Sequence, residues 1–461
     1  MAGQLAGADV DRAQLHRNAS RGLPYLSTAT AGAPHGPTRF EMTPIAKIDL
    51  DGDPVLNVRG NVYPIDAHGD GRFELLHFNG SRFMRVYDLD GRMLWQVDDP
   101  DGRVHRDFIH RDTLAVFYGD QNGGQDIAHC WIQDGRKKLV LRRGSDGAVL
   151  KSVDLGDPVT SECQIAAFRT GAANDPVILV SHAPGESCAA KDQIDTFSSV
   201  LAFDRELRPL WTADTCMAGH YVWPIGPSDG PTTSVMVGKY VVDLADGHIR
   251  CNAPNWDGDH ADSVSVADFL PDRPGPEAVL IGRTRVAMIA PLDGCVELWT
   301  NADPAIDNTQ HLQALRLEAD APPSIVLRQR GSVRPAAASL LEPQGRILLT
   351  TRKTPAARTM PSATVNLDGA RGEDDLVGQF GRVVDPRTAT ERLGTAWYWS
   401  LKGTKIEAVK PPSFYDRWAA FPLVLDLDRD GRDEMVVWSQ TLIVVGTLAD
   451  GVELEEKDPS N

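Results

Sequence analysis

An all-β fold, arranged as a single β-propeller of eight blades, is what three features of this 461-residue sequence predict. Short runs rich in Val, Ile, Leu, Phe and Trp, such as residues 86–94 and 435–445, alternate with Gly, Asp and Pro punctuation rather than with helical periods. The 41 glycines and 31 prolines suit a chain that turns often. A unit of about fifty residues recurs along most of the length.

The repeat is clearest in two stretches. One runs Asn61-Val-Tyr-Pro-Ile-Asp66, a Gly69-Asp-Gly71 turn, Phe73-Glu-Leu-Leu-His77, Phe83-Met-Arg-Val-Tyr-Asp88, then Asp90-Gly-Arg-Met-Leu-Trp95. The other runs Tyr221-Val-Trp-Pro-Ile-Gly226, an Asp-Gly turn, Ser234-Val-Met-Val237, Tyr240-Val-Val-Asp-Leu244, then Asp246-Gly-His-Ile249. Each reads as four strands joined by tight turns, because Asp-Gly supplies the positive φ angles that short hairpins require. Further units begin near Asp112, Cys163, Asp262, Leu312 and Thr359. The final run, residues 421–447, holds three evident strands, and residues 42–50 supply the missing one and close the ring, which removes exposed sheet edges. Two of the eight units are weak, so seven blades is the alternative count, and a pair of β-sandwiches is the competing architecture. Residues 1–38 are expected to form a flexible segment, 39–450 the propeller and 451–461 a polar tail.

Charge and composition exclude several classes. The formal net charge is −17, the reverse of the basic footprint that nucleic-acid binders carry. Solubility accounts for that acidity, with cation-holding acidic loops as the other reading. No apolar run approaches the ~18 residues of a membrane span. The first thirty residues lack a secretory pattern, so a cytoplasmic location is expected, or a secreted one if a leader was removed. A monomer is expected. Cys130, Cys163, Cys188, Cys216, Cys251 and Cys295 are too widely spaced for a zinc ribbon or a redox pair. They read as buried thiols, with one or two disulfides if the protein is exported.

In a propeller blade the approach to the first strand and the turn from the second strand to the third share a face. The second-to-third slot holds His77, His129 and His182 in successive units, then Lys239, Arg283 with Arg285, and Arg328 with Arg330. The approach to the first strand holds His110, His220, His260 and His311. Any one of these is more often a satisfied core or surface residue, and each arginine alone reads equally well as a solvated strand end. Repetition in one slot favours a face built to receive an anion. His129, nineteen residues after His110, is expected at a strand end on the same rim and is the candidate general base, with His110 holding the substrate or sharing the proton. Arg111, His77, His182, Arg283, Arg328 and Arg330 are the candidate binding residues. The Asp257-Gly-Asp-His-Ala-Asp262 run mixes imidazole with carboxylates at that face, making calcium a candidate ion with His220, His260 and His311 as candidate metal residues. The Asp426-Leu-Asp-Arg-Asp-Gly-Arg-Asp433 run begins like a calcium loop but has Val437 where the twelfth-position glutamate would stand. It reads equally well as a plain polar turn. No organic cofactor motif is present.

The His110-Arg-Asp-Thr113 and Asp126-Ile-Ala-His-Cys-Trp131 stretches resemble the propeller polysaccharide lyases, nearest the L-rhamnose-α-1,4-D-glucuronate lyases. The run from Gly258 to Gly275 resembles a segment of the rhamnogalacturonan lyases. The resemblance covers roughly residues 40–450, but only these short stretches are specific. It implies a seven-bladed ring, active-site histidines at His110 and His129, calcium in or near the site of some members, and a uronic-acid glycan as substrate. The implied reaction is β-elimination at O4 of a uronic acid, releasing L-rhamnose from L-rhamnosyl-α-1,4-D-glucuronate. A non-catalytic glycan- or protein-binding propeller, and a hydrolase on the same scaffold, remain as alternatives.

Overall fold

The computed structural model describes residues 42–49, 61–78, 83–98, 114–118, 123–133, 136–156, 164–170, 175–182, 199–219, 221–226, 232–256, 260–307, 309–315, 321–329, 338–350, 362–363, 378–379, 382–385, 390–393, 423–425, 427, 434–438 and 442–448. The chain is all-β, built from four-stranded antiparallel sheets, with one short 3-10 turn among the described residues, at Pro304–Ile306. Sheet I comprises Asn61–Ile65, Glu74–Phe78, Phe83–Tyr87 and Met93–Asp98. Sheet II comprises Leu114–Tyr118, Gln125–Gln133, Arg136–Arg143 and Val149–Gly156. Sheet III comprises Ile165–Thr170, Asp175–His182, Ser199–Phe203 and Pro209–Ala213. Sheet IV comprises Val222–Ile225, Ser234–Val237, Tyr240–Asp243 and Ile249–Asn252. Sheet V comprises Ser263–Ala267, Glu277–Ile281, Val286–Ala290 and Val296–Asn301. Sheet VI comprises Thr309–Leu315, Ser324–Gln329, Ala338–Leu341 and Ile347–Thr350.

A last sheet joins the two ends of the sequence. Met42–Asp49 pairs antiparallel with Leu442–Leu448, Met42 opposite Leu448 and Asp49 opposite Leu442, and Glu434–Trp438 and Leu423–Leu425 complete it. The unit expected from Thr359 shows two short ladders among the described residues, Ser362–Ala363 with Gly378–Gln379 and Arg382–Asp385 with Thr390–Leu393.

Burial explains the sequence pattern of each strand. The first three strands of sheets I and V are buried almost without interruption, so most of their residues on both faces are apolar, with Glu74, His77, Ser263, Ser265 and Glu277 as buried polar exceptions. The fourth strand alternates between exposed and half-buried residues, as at Met93–Asp98 and Val296–Asn301. Sheets I to VI pack on one another in chain order through five apolar seams. Tyr63, Leu76, Phe78 and Val140 lie in the first, between sheets I and II, and Trp223, Trp256, Val264 and Leu280 in the fourth, between IV and V.

Each seam is also tied at its outer edge. In three of them the fourth-strand tryptophan of one sheet donates its indole N–H to a carbonyl in the last turn of the next. The pairs are Trp95 to Gly144 at 2.8 Å, Trp211 to Leu244 at 3.0 Å and Trp299 to Pro343 at 2.9 Å. The ring then lies over a turn glycine: a Cβ placed on Gly247, whose φ is +74°, would stand 2.5 Å from the Trp211 ring. Sheets IV and V use a disulfide at the equivalent place, from Cys251 in the fourth strand to Cys295 in the next turn. Sheets II and III use Leu155 against Leu207 with a Lys151–Glu206 ion pair at 2.9 Å.

The cysteines depart from the expectation of buried thiols. Cys130 and Cys216 are disulfide-bonded as well, and no cysteine among the described residues is free. For Cys251 and Cys295 the sequence spacing hid this, because the two belong to separate units. No helix among the described residues is long and apolar enough to cross a membrane.

The edge ties have separable energies. Trp211→Phe keeps most of the apolar contact and loses one hydrogen bond, so a loss of about 1 kcal/mol is expected. Gly247→Ala forces both a clash and an unfavourable φ, so a loss of about 1–3 kcal/mol is expected. Urea unfolding with an unchanged m-value checks both, and equal small losses would show that the ring does not bear on the glycine.

Candidate active site

The rim where the second strand of each sheet ends and the first begins was expected to carry the chemistry. In sheet I, His77 lies opposite Val62 of the first strand and Arg85 of the third. It is buried, edge-on to Phe83 with ring centroids 4.9 Å apart, and the Arg85 guanidinium lies 4.5 Å from the centre of that same ring. Nδ1 of His77 meets no hydrogen-bond partner among the described residues. Burial, then the nearby Arg85 charge, pulls its pKa down to about 3.

Sheet II repeats the theme with closer contact. His129 has no exposed surface, and its ring meets Phe78 and Trp131 edge-on at 5.6 and 5.1 Å. Nε2 accepts a hydrogen bond from Nε of Arg142 at 3.0 Å, and Nδ1 lies 3.4 Å from the Cys130 carbonyl oxygen. Arg142 also donates to the Gly147 carbonyl at 2.9 Å and lies over the Trp131 ring at 5.5 Å. An imidazole that accepts from a guanidinium must be neutral. Burial, and next the Arg142 charge, hold the His129 pKa well below its ordinary value. The expectation of an open strand end needs correction here: the strand runs on to Gln133, so His129 sits inside it, in the seam against Phe78 of sheet I.

The other expected site residues divide into three groups. His110, Arg111, His220 and Arg330 lie outside the described residues. His182 ends its strand opposite Ser199, and His311 pairs with Arg328 across the first two strands of sheet VI. Arg283 is exposed in a turn, while Arg285 is anchored: it donates to the Asn255 and Pro254 carbonyls at 2.7 and 3.1 Å and lies over the Trp256 ring at 5.2 Å. Lys239, buried beside them, donates to the Trp256 carbonyl at 3.0 Å. Trp256 thus brings together two of the cationic slots, whereas the histidines of sheets I and II pair each with its own arginine.

The metal expectation rests on residues of which only some are described. His260 Nε2 lies 3.6 Å from Asp262 Oδ1, but among the described residues no three His, Cys, Asp or Glu side chains come together as a metal group. Asp257, Asp259 and His220, which belong to the same expectation, lie outside the described residues. Sequence reading missed Arg85 and Arg142. Arg85 was within reach, because alternation and a short hairpin place it opposite His77; Arg142 reaches His129 diagonally, and only the register reveals that.

No protein-family profile matches the chain, and no curated protein matches it in sequence. Solved structures do match in fold. Bacillus licheniformis rhamnogalacturonan lyase PL11 superposes with a TM-score of 0.57 at 14% identity, over 90% of this chain and 75% of that one. The exotype rhamnogalacturonan lyase YesX gives 0.58 at 13% identity, over 91% and 75%. Saccharomyces cerevisiae Sqt1 gives 0.51 at 10% identity, over 92% and 100%. At such identities the likeness is one of fold.

The buried imidazoles make stability depend on pH. His77 is neutral when folded, but below its ordinary value of 6.5 the unfolded chain takes up a proton that the folded chain refuses. Stability therefore falls as pH drops from about 6.5 towards about 3, with each such histidine adding a slope of up to about 1.4 kcal/mol per pH unit. Urea midpoints measured across that window check this. His77→Leu should flatten the dependence, and an unchanged slope would show that His77 titrates normally.

Proposed function

We propose that this chain is a polysaccharide lyase that breaks the glycosidic bond to O4 of a uronic acid by β-elimination, with L-rhamnosyl-α-1,4-D-glucuronate as the first substrate to test. The observation that supports this reading best is the fold shared with rhamnogalacturonan lyases over nine-tenths of the chain. The histidine and arginine content of the expected rim fits the chemistry. The proton at C5 is acidic enough to remove only when the adjacent carboxylate is neutralised, which a guanidinium does well. A neutral imidazole takes the proton, the C4=C5 double bond forms, the C4–O4 bond breaks, and the leaving oxygen receives a proton.

In this reading the proton-transfer role passes to His110, because the burial of His129 and its bond to Arg142 suit it to holding that arginine in the seam. The fold-only likeness to Sqt1 keeps a binding propeller as the second reading, since a fold by itself carries no activity. The disulfides favour an oxidising compartment as the place of action.

The sheets are read as blades of one closed ring of eight, the eighth lying in the unit from Thr359. Two bonds between distant parts of the chain support closure: the Met42–Asp49 ladder, and the Phe73 N–H donated to the Leu427 carbonyl at 3.1 Å.

Incubation with uronic-acid glycans, followed by the ultraviolet band of the unsaturated product, tests the activity directly. Reducing sugar released without that band would point to a hydrolase, and binding without either product to a non-catalytic propeller. His110→Ala is expected to lower turnover about a hundredfold or more with stability unchanged. His129→Ala should lower stability first, and the opposite pattern would return the base role to His129. For the ring, deletion through residue 49 should lower the unfolding midpoint sharply compared with deletion through residue 40; equal midpoints would argue against closure.

A further inference from the structure

Among the described residues three glutamines are buried, at positions 125, 164 and 329. Two of them are satisfied by the protein. Gln125 Oε1 accepts the Asp66 N–H at 2.7 Å, and Gln329 Nε2 donates to the Asp307 carbonyl at 2.8 Å. Gln164 is different. It is 3% exposed, yet neither Oε1 nor Nε2 has a hydrogen-bond partner among the described residues. A buried amide left so is costly, and folded proteins rarely tolerate one unless something outside the chain meets it.

The backbone around this amide is held firmly. The Gln164 N–H donates to Ser181 Oγ at 2.7 Å, and its carbonyl accepts the Ser181 N–H at 2.9 Å. Gln164 immediately precedes the first strand of sheet III, at the end where the second strand finishes at His182. Alternation places its side chain with Ala166 and Phe168, on the seam shared with sheet IV, rather than with Ile165 and Ala167 towards sheet II. It therefore belongs to the rim that carries the histidine and lysine slots, and it is fixed in place with its polar end unused.

We propose that Gln164 is a substrate-binding residue whose amide takes one hydroxyl group of the glycan, Oε1 accepting its proton and Nε2 donating to its oxygen. This rests on the reading of that rim as a glycan site. A water molecule offers the same donor and acceptor, so a purely structural water is the competing occupant.

The experiment pairs stability with affinity. Gln164→Leu removes the buried amide at similar size. Its thermal midpoint should be kept or raised, while its affinity for L-rhamnosyl-α-1,4-D-glucuronate and rhamnogalacturonan oligosaccharides, read by calorimetry, should fall about tenfold, the worth of a neutral hydrogen bond. A lowered midpoint with unchanged affinity would overturn the proposal in favour of a structural water. If the Leu variant does not fold, Gln164→Glu keeps the shape and the acceptor but loses the amide donor, and unchanged affinity there is equally fatal. Affinity lost in a protein whose wild type binds glycans but never eliminates would sustain this inference while the lyase reading fails. Turnover in the wild type with full affinity in both variants would do the reverse. A wild type that binds none of these glycans overturns both.

Discussion

The structure depends on how one four-stranded sheet is fastened to the next. A single sheet of this size has two apolar faces and too few residues to bury either by itself, so its stability comes from its neighbours. Apolar packing has no direction and would allow adjacent sheets to slide. The indole N–H of Trp95, Trp211 or Trp299, aimed at one carbonyl in the following turn, supplies the direction. Where a junction has no such tryptophan, the Cys251–Cys295 disulfide or the Lys151–Glu206 pair spans the same edge.

The same fastening has a polar counterpart deeper in the first seam. Arg142 reaches from near the edge to His129, and its second bond goes to the carbonyl of Gly147, the glycine whose Cβ position the Trp95 ring occupies. A guanidinium carried into a seam with no carboxylate in these bonds would be expensive to bury without acceptors. A neutral imidazole and a carbonyl provide them, and the Trp131 ring covers the cation. The arrangement keeps His129 uncharged, which is what a proton acceptor needs, but it also spends the lone pair that would do the accepting. Burial thus separates two roles that a histidine in a list of residues combines.

The functional reading draws on fold and chemistry in unequal parts. Rhamnogalacturonan lyases and Sqt1 share this architecture with the chain at 10–15% identity, so architecture narrows the field without choosing within it. The choice rests on which polar groups the rim leaves available. Lys239 and Arg285 are committed to carbonyls around Trp256, which lowers their value as carboxylate readers, while the Gln164 amide has no partner among the described residues.

The sequence by itself determined what is local. Alternation, continuous apolar runs and Asp-Gly turns placed the strands of sheets I and IV almost residue by residue, because strand pairing through a short hairpin depends only on neighbours in the chain. It also marked residues 42–50 as a strand for the last sheet, since three strands there called for a fourth. Contacts between sheets were beyond it. That Cys251 meets Cys295, that His129 is enclosed by Phe78 and held by Arg142, and that Gln164 is buried without a partner among the described residues all follow from how far one sheet is rotated and shifted on the next. Side chains from separate units set that offset together, and no period within a single strand encodes it.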